Sequence, residues 1–422
     1  MKKLAAVFLS LILALSGCAS AGTEDLMTGI RTNLVTDAEA PDSVMTQTRG
    51  DTSPELKEPD TASAMDFSIR LFRTALDPGG NTLISPLSVL SALAMTAGGA
   101  AGETLNQMEQ ALGMGSEKLD AFFGSYMATP ERQEGALHLA NSIWFTDDNR
   151  FTVNQDFLQR NAECYGADIY RTAMDNTAVK AINDWVKEKT DGMIPEILDK
   201  APADAIMYLV NALAFEAKWE TPYYTHQVRE AEFTREDGTV KKADMMYSEE
   251  YAYLETENAA GFIKYYEGRD YAFVALLPNE GISVADYVAS LTGEKLTALL
   301  SAPQNIMVQA GIPKFESEYS VLLNDVLKEM GMVDAFDPVT ADFSCMGSSE
   351  DGGIHISRVL HKTFISVAEE GTRAGAATLV EAADGASMIG DFKTVILDRP
   401  FVYLLIDTRT HLPFFMGTVM GK

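Results

Sequence analysis

Apolar residues recur at helical spacing through most of the first half of this chain and gather into short, near-continuous runs through the second. Met65, Ile69, Phe72 and Leu76 open the helical series. After the Pro78-Gly79-Gly80 break, Asn81-Thr82-Leu83-Ile84 reads as a short strand. Ser85-Pro86 then reads as a helix cap followed by proline at the first helical position. That helix runs to Gly98-Gly99, and helical patterns continue at 103–112, 117–127, 154–165 and 177–190. Strands are expected at 206–215, in hairpin-like runs over 231–277, and at 306–309. Two short helices fall within 284–300 and another at 319–330, and several strands close the chain. Phe273-Val274-Ala275-Leu276-Leu277 is continuously apolar, as suits a central strand buried on both faces. Helices early and strands late, with no repeat and no internal linker, point to one large α+β domain over residues 61–422.

The first sixty residues lie outside that pattern. Lys2 and Lys3 precede an apolar run from Leu4 to Leu15. The run is shorter than the ~20 residues needed to cross a bilayer and reads as a secretory signal. Leu15-Ser16-Gly17-Cys18 looks like a bacterial lipobox. That resemblance implies cleavage after residue 17 and lipid on Cys18; an ordinary signal peptide with an incidental cysteine is the alternative. Each buried CH₂ contributes ~0.8 kcal/mol, so an acylated Cys18 would hold the protein on the cell envelope, outside the cytoplasm. Residues 18–60 are then the lipidated cysteine and a tether rich in Thr, Asp, Glu, Ser and Pro. As a flexible coil the tether would reach about 35 Å.

Charge and composition exclude several functions. The 422 residues include 61 Asp and Glu against 33 Lys and Arg, a net charge of -28. Nucleic-acid binding needs clustered bases and is not expected. Nor is activation by a heparin-like polyanion, since Lys241-Lys242 is the only adjacent basic pair beyond the signal. Three cysteines cannot build a disulfide framework, and Cys164 and Cys345 read as free, buried thiols. There is no P-loop, no Ser-x-x-Lys and no His-Glu-x-x-His. Gly385-Ala386-Ser387-Met388 starts like a nucleophile elbow, but Ile389 takes the last glycine position. His355 and His361 share strand parity, yet structural histidines suit this pattern better than a metal site. No catalytic residue, metal or cofactor is expected.

The informative stretch runs from Glu369 to Asp384. Thr372, Ala374, Ala376, Thr378, Val380 and Ala382 form one uncharged parity, while the other contains Arg373 and Glu381. As a strand it would offer one small, buried face and one face to solvent. Its many Ala and Gly residues have poor strand preference, so a Gly/Ala-rich linker is the other reading.

Six motifs in order tip the balance. They are Asn81-Thr82-Leu83-Ile84-Ser85-Pro86-Leu87-Ser88, Leu209-Val210-Asn211-Ala212-Leu213-Ala214-Phe215-Glu216-Ala217-Lys218-Trp219, Pro313-Lys314-Phe315, Ala341-Asp342-Phe343-Ser344, His361-Lys362-Thr363-Phe364 and Asp398-Arg399-Pro400-Phe401-Val402-Tyr403. With them the chain resembles the serpins over nearly all of 61–422. The resemblance implies a large central mixed sheet, two further sheets, eight to nine helices and an exposed reactive loop. It implies a single-use inhibitor: a serine protease cuts the loop, stays acyl-bound, and is carried off as the loop inserts into the large sheet. About 15 inserted residues at ~3.3 Å each would move the protease roughly 50 Å.

The resemblance assigns the rest residue by residue. The loop hinge is Glu369, Glu370, Gly371, Thr372, Arg373, Ala374, Gly375, Ala376, Ala377 and Thr378. Ser85, Ser88, Asn211 and His361 match a polar cluster where the sheet opens. Trp219, Lys314 and Glu369 match the head of the sheet, with plain core packing as the alternative for Trp219. Counting the loop from Gly371 puts the bait bond at Gly385-Ala386, whereas counting back from Pro400 puts it near Ile389. Gly385, Ala386 and Met388 are the candidates, and none suits a trypsin-like pocket. An elastase-like target is expected, with subtilisin-like or chymotrypsin-like enzymes admitted by Met388. A monomer is expected. A non-inhibitory binding protein on the same fold is the alternative function.

Overall fold

The structure is a computed structural model, and it describes residues 23–27, 58–127, 136–147, 151–200, 207–350, 353–372 and 392–421. Among the described residues there are nine α-helices and three main sheets, with a small pairing of Gly347–Ser349 and Phe151–Val153 beside them. The fold class matches the expectation.

The Pro86–Ala97 helix explains how the layers join. Every one of its residues is buried, as befits a helix that is apolar or small all round. It packs on the Leu137–Thr146, Met207–Phe215 and Pro413–Val419 strands, and so touches two sheets. The Glu58–Thr74 helix covers a neighbouring face, burying Met65, Phe67, Ile69, Leu71 and Phe72.

The large sheet runs in the order Thr23–Asp25, Asp168–Thr172, Leu137–Thr146, Met207–Phe215, Arg358–Val367, Gly371–Thr372 and Ala217–Lys218, with Phe315–Leu322 on the other side of Arg358–Val367. It is mixed. Arg358–Val367 lies parallel to Met207–Phe215 and antiparallel to Phe315–Leu322. The six-stranded sheet places Tyr271–Pro278 between Ala259–Tyr265 and Phe401–Asp407. All eight residues of that strand are buried, so the Phe273–Leu277 run is central as its composition demands. A four-stranded sheet joins Phe392–Ile396, Met307–Pro313, Val240–Glu250 and Val228–Thr234.

The structure departs from the sequence reading at five places. Leu137–Thr146 and Asp168–Thr172 are strands in the half read as helical. Leu137–Thr146 is covered by helices on both faces, Pro86–Ala97 on the side of Ile143 and Phe145 and Asn176–Lys189 on the side of Trp144, so it lacks the alternation that marks a half-exposed strand. Residues 319–322 belong to the Phe315–Leu322 strand, and the helix expected over 319–330 is confined to Asn324–Glu329. Met307–Pro313 extends well past the expected 306–309, because it pairs on both edges. Lastly, within the segment read as a tether, Thr23–Asp25 pairs with Asp168–Thr172, Leu26 donates to the Ile169 carbonyl at 2.9 Å, and Met27 is fully buried. The first helix also begins earlier than residue 61, at Glu58.

Packing at two glycines gives a direct test. A Cβ on Gly261 would stand 2.1 Å from the Ala275 carbonyl oxygen in the neighbouring strand, whereas one on Gly124, in the Ser116–Met127 helix, meets nothing within 4 Å. Gly261→Ala should destabilise by about 1–3 kcal/mol. Gly124→Ala should stabilise by up to about 1 kcal/mol through helix propensity. Urea midpoints of the two variants should move in opposite directions.

Candidate functional site

The site lies where two strands of the large sheet part. Arg358–Val367 pairs with Met207–Phe215 from Arg358 opposite Tyr208 up to Thr363 opposite Leu213. Above that level the neighbour of Arg358–Val367 on this side is the hinge. Thr372 pairs with Val367, and Gly371 and Thr372 pair with Lys218 and Ala217. Gly371 and Thr372, the third and fourth residues of the expected hinge, therefore stand as a rung between the parted strands. Glycine is required there, since a Cβ on Gly371 would lie 2.1 Å from the Ala217 carbonyl oxygen. Thr372 is 1% exposed, and its hydroxyl shares a 2.6 Å hydrogen bond with that of Tyr266.

The turn into the rung is held by donors from residues 219–223. The Trp219 amide donates to the Glu370 carbonyl at 2.8 Å, and the Tyr223 amide to that of Glu369 at 2.9 Å. The Trp219 indole Nε1 donates to the Ala368 carbonyl at 2.9 Å. Its ring is buried and stacks on Tyr266, with centroids 4.4 Å apart. Trp219 is thus core packing and a hinge partner at once. Lys314 Nζ meets Glu369 Oε1 at 2.9 Å. Partial burial pushes the Glu369 carboxyl up, but the Lys314 hydrogen bond, a backbone donor and the Lys314 charge outweigh it and the net shift is downward. Both side chains are about a third exposed, so the pair contributes at most about 1 kcal/mol.

Beneath this turn lies a buried ion pair that the sequence reading missed. Lys264 is 2% exposed, meets Glu250 at 2.8 Å, and sits over the Trp219 and Tyr223 rings. Lys264 also donates to the Thr221 carbonyl, so the 219–223 segment is anchored from below.

The expected polar cluster lies at the lower end of the parting. His361 faces the Pro86–Ala97 helix, and its Nε2 accepts from the Ser85 amide at 3.0 Å. His361, Asn211 and Asn141 occupy one register across three strands; the Asn211 side chain lies outside the described residues. Asn141 donates to Ser91 Oγ at 2.7 Å, and Thr363 Oγ1 donates to the Leu83 carbonyl at 2.8 Å. Ser85 stands at the cap position, but its side chain makes no capping bond. The Ser85 and Ser88 hydroxyls are buried with no partner among the described residues.

Other expected residues fall elsewhere. Cys18, Arg373, Ala374, Gly375, Ala376, Ala377, Thr378, Gly385, Ala386 and Met388 lie outside the described residues. Cys345 is exposed and Cys164 half-buried, rather than both buried. Burial, then the Asp120 charge, pushes the Cys164 thiol up. Among the described residues no group of His, Cys, Asp and Glu could hold a metal ion. Tyr266, Tyr223, Lys264, Asn141, Ser91 and Thr363 were not singled out by sequence. Asn141 and Lys264, a polar and a charged residue in apolar runs, carry a local signal, whereas the others act through partners well away along the chain.

Comparison with known proteins agrees with this fold. The family model described as Serpin (serine protease inhibitor) matches residues 62–421. Leukocyte elastase inhibitor A of Rattus norvegicus is 32% identical over 374 residues, spanning 84% of this chain and 97% of that protein. The solved native-state structure of a thermophilic serpin, tengpin, superposes with a TM-score of 0.85 at 44% identity, covering 95% of this chain and all of that one. Thyroxine-binding globulin in complex with thyroxine shares the fold at 24% identity, with a TM-score of 0.74 over 86% of this chain and 98% of that one.

His361 gives this region a pH dependence. Burial pushes its pKa down from 6.5 to about 3. Above pH 6.5 the ring is neutral in both folded and unfolded chains. As pH falls below that, the unfolded chain takes up a proton that the folded chain refuses, so stability is lost down to about pH 3, by about 1 kcal/mol per unit. Urea midpoints measured from pH 7 to pH 4 should fall more steeply for the wild type than for His361→Gln.

Proposed function

Since this chain belongs to the serpin family, we propose that it is a suicide-substrate inhibitor of serine proteases that traps the acyl-enzyme by inserting its cut loop into the large sheet. The observation that carries this reading is the rung formed by Gly371 and Thr372 between strands whose mutual pairing stops at Thr363. A strand already begun, above a pairing that can part, is the starting point insertion needs.

The chemistry belongs to the protease. Its serine hydroxyl attacks the carbonyl carbon of the bait bond, the C–N bond breaks, and the new amino group leaves with the proton. The acyl ester then awaits water. Insertion pulls the ester away from the groups that orient that water, and deacylation tolerates little displacement. This chain contributes no catalytic residue; it contributes the strand and the slot.

The candidate bond residues Gly385, Ala386 and Met388 suit a shallow apolar pocket, which favours an elastase-like target over a trypsin-like one. The relative named as an elastase inhibitor supports the same class. Lipid on Cys18 would place the inhibitor, as a monomer, on the outer side of a bacterial membrane, with residues 1–17 removed. The fold alone does not decide for inhibition, since a thyroxine-binding protein shares it.

Incubation with pancreatic elastase, chymotrypsin and subtilisin should yield a complex that survives denaturation with at least one of them. The mass of the released carboxy-terminal fragment fixes the bond. Loop cleavage by every protease with no complex would refute inhibition in favour of a binding role. Thr372→Arg, which forces a charge into a site 1% exposed, should turn the inhibitor into a substrate; retained inhibition would sink the insertion mechanism.

A further inference from the structure

Tyr266 reaches the hinge from a different sheet. It follows the Ala259–Tyr265 strand and is held on three sides. Its ring stacks on Trp219 at 4.4 Å with the planes 13° apart, and meets Phe215 edge-on at 5.0 Å. Its backbone bridges Trp219. A ring so fixed leaves only its hydroxyl as a variable contact, and that hydroxyl lies 2.6 Å from Thr372 Oγ1. Both residues are at most 1% exposed, so water cannot replace either partner.

We infer that Tyr266 is a positioning residue that sets the register in which the loop enters the large sheet. This rests on the inhibitory reading above. A strand that slips by one residue turns every side chain to the opposite face. Here a slip would carry Arg373 and Glu381 towards the buried face and lift the uncharged set beginning at Thr372 into solvent. The charges of Arg373 and Glu381 oppose a slip only once they have been laid into the sheet, and the Ala and Gly between them offer neither bulk nor polar groups that would fix the register earlier. The hydroxyl pair is the polar contact that does so. Thr372 already occupies its strand position, paired with Val367 on one side and Ala217 on the other, so the bond persists as the following residues are laid down. It is the fixed first rung from which pairing propagates.

The kinetic consequence is specific. The acyl-enzyme is partitioned between insertion, which traps it, and deacylation, which releases it. Loss of the hydroxyl pair slows insertion and leaves loop cleavage untouched, because Tyr266 is buried and the protease meets only the loop. One buried hydrogen bond corresponds to about a fivefold change in rate.

The experiment compares wild type, Tyr266→Phe, Thr372→Val and Thr372→Ser with pancreatic elastase, chymotrypsin and subtilisin. It reads the fraction trapped in denaturation-resistant complex, the moles of inhibitor consumed per mole of protease, and the rate of loop cleavage. With the protease that wild type traps, Tyr266→Phe and Thr372→Val should divert about fivefold more inhibitor to cleaved product at an unchanged cleavage rate. Thr372→Ser, which keeps the hydroxyl, should behave as wild type, and the double variant Tyr266→Phe/Thr372→Val should be no worse than either single one. Equal partitioning in wild type and Thr372→Val, or failure of Thr372→Ser to match wild type, overturns the register role and leaves inhibition standing. The Thr372 pair decides the question even where Tyr266→Phe folds poorly. Wild type that forms no complex at all overturns the inhibitory reading itself, and the register role with it.

Discussion

A parallel pair of strands that stops pairing at Thr363 and Leu213 governs the whole upper half of the large sheet. Backbone N–H and C=O groups released by such a parting must find other partners or remain unsatisfied in the interior. The chain answers locally. Val367 turns to Thr372, Ala217 and Lys218 turn to Thr372 and Gly371, and the carbonyls of Ala368, Glu369 and Glu370 take donors from Trp219 and Tyr223. Each of these bonds contributes only about 1 kcal/mol net. Together they hold a two-residue strand that would not persist alone.

The same arrangement divides the site into parts of unequal strength. The Lys314–Glu369 pair is partly solvated and weak, and so suits a contact that must give way. The Trp219–Tyr266 stack and Lys264 beneath it are buried, with Glu250 mostly so, and suit a fixed anvil. Removing one partner of such a buried ion pair leaves an uncompensated charge, which destabilises by several kcal/mol. At the lower end the parting is fastened to the helix layer through His361 and Ser85. The upper contacts hold residues 368–372 in place; the lower ones tie the Arg358–Val367 strand to the helix layer.

Much of this was legible in the sequence, for identifiable reasons. His361, Trp219 and Lys314 sit in motifs whose order along the chain is specific, Glu369 follows from the resemblance of the hinge, and the structure brings each to one of the two ends of the parting. The Phe315–Leu322 strand was misread because Tyr319, Leu322, Leu323, Val326, Leu327 and Met330 recur at helical spacing across a strand-to-helix junction. Thr23–Asp25 left no signal, since three residues joining an edge by backbone bonds need no apolar pattern. Tyr266 was invisible for another reason: its partner lies 106 residues away, and nothing around it in sequence distinguishes it from a core tyrosine.

On the inhibitory reading proposed above, the large sheet accepts further residues behind Thr372. Insertion would replace a short rung by a full strand paired on both edges, adding backbone hydrogen bonds along the entire parting. The direct measurement is the thermal unfolding midpoint of the protein before and after its loop is cut, with both fragments kept together. The cut protein should unfold at a markedly higher temperature than the intact one. An unchanged or lower midpoint would contradict that reading.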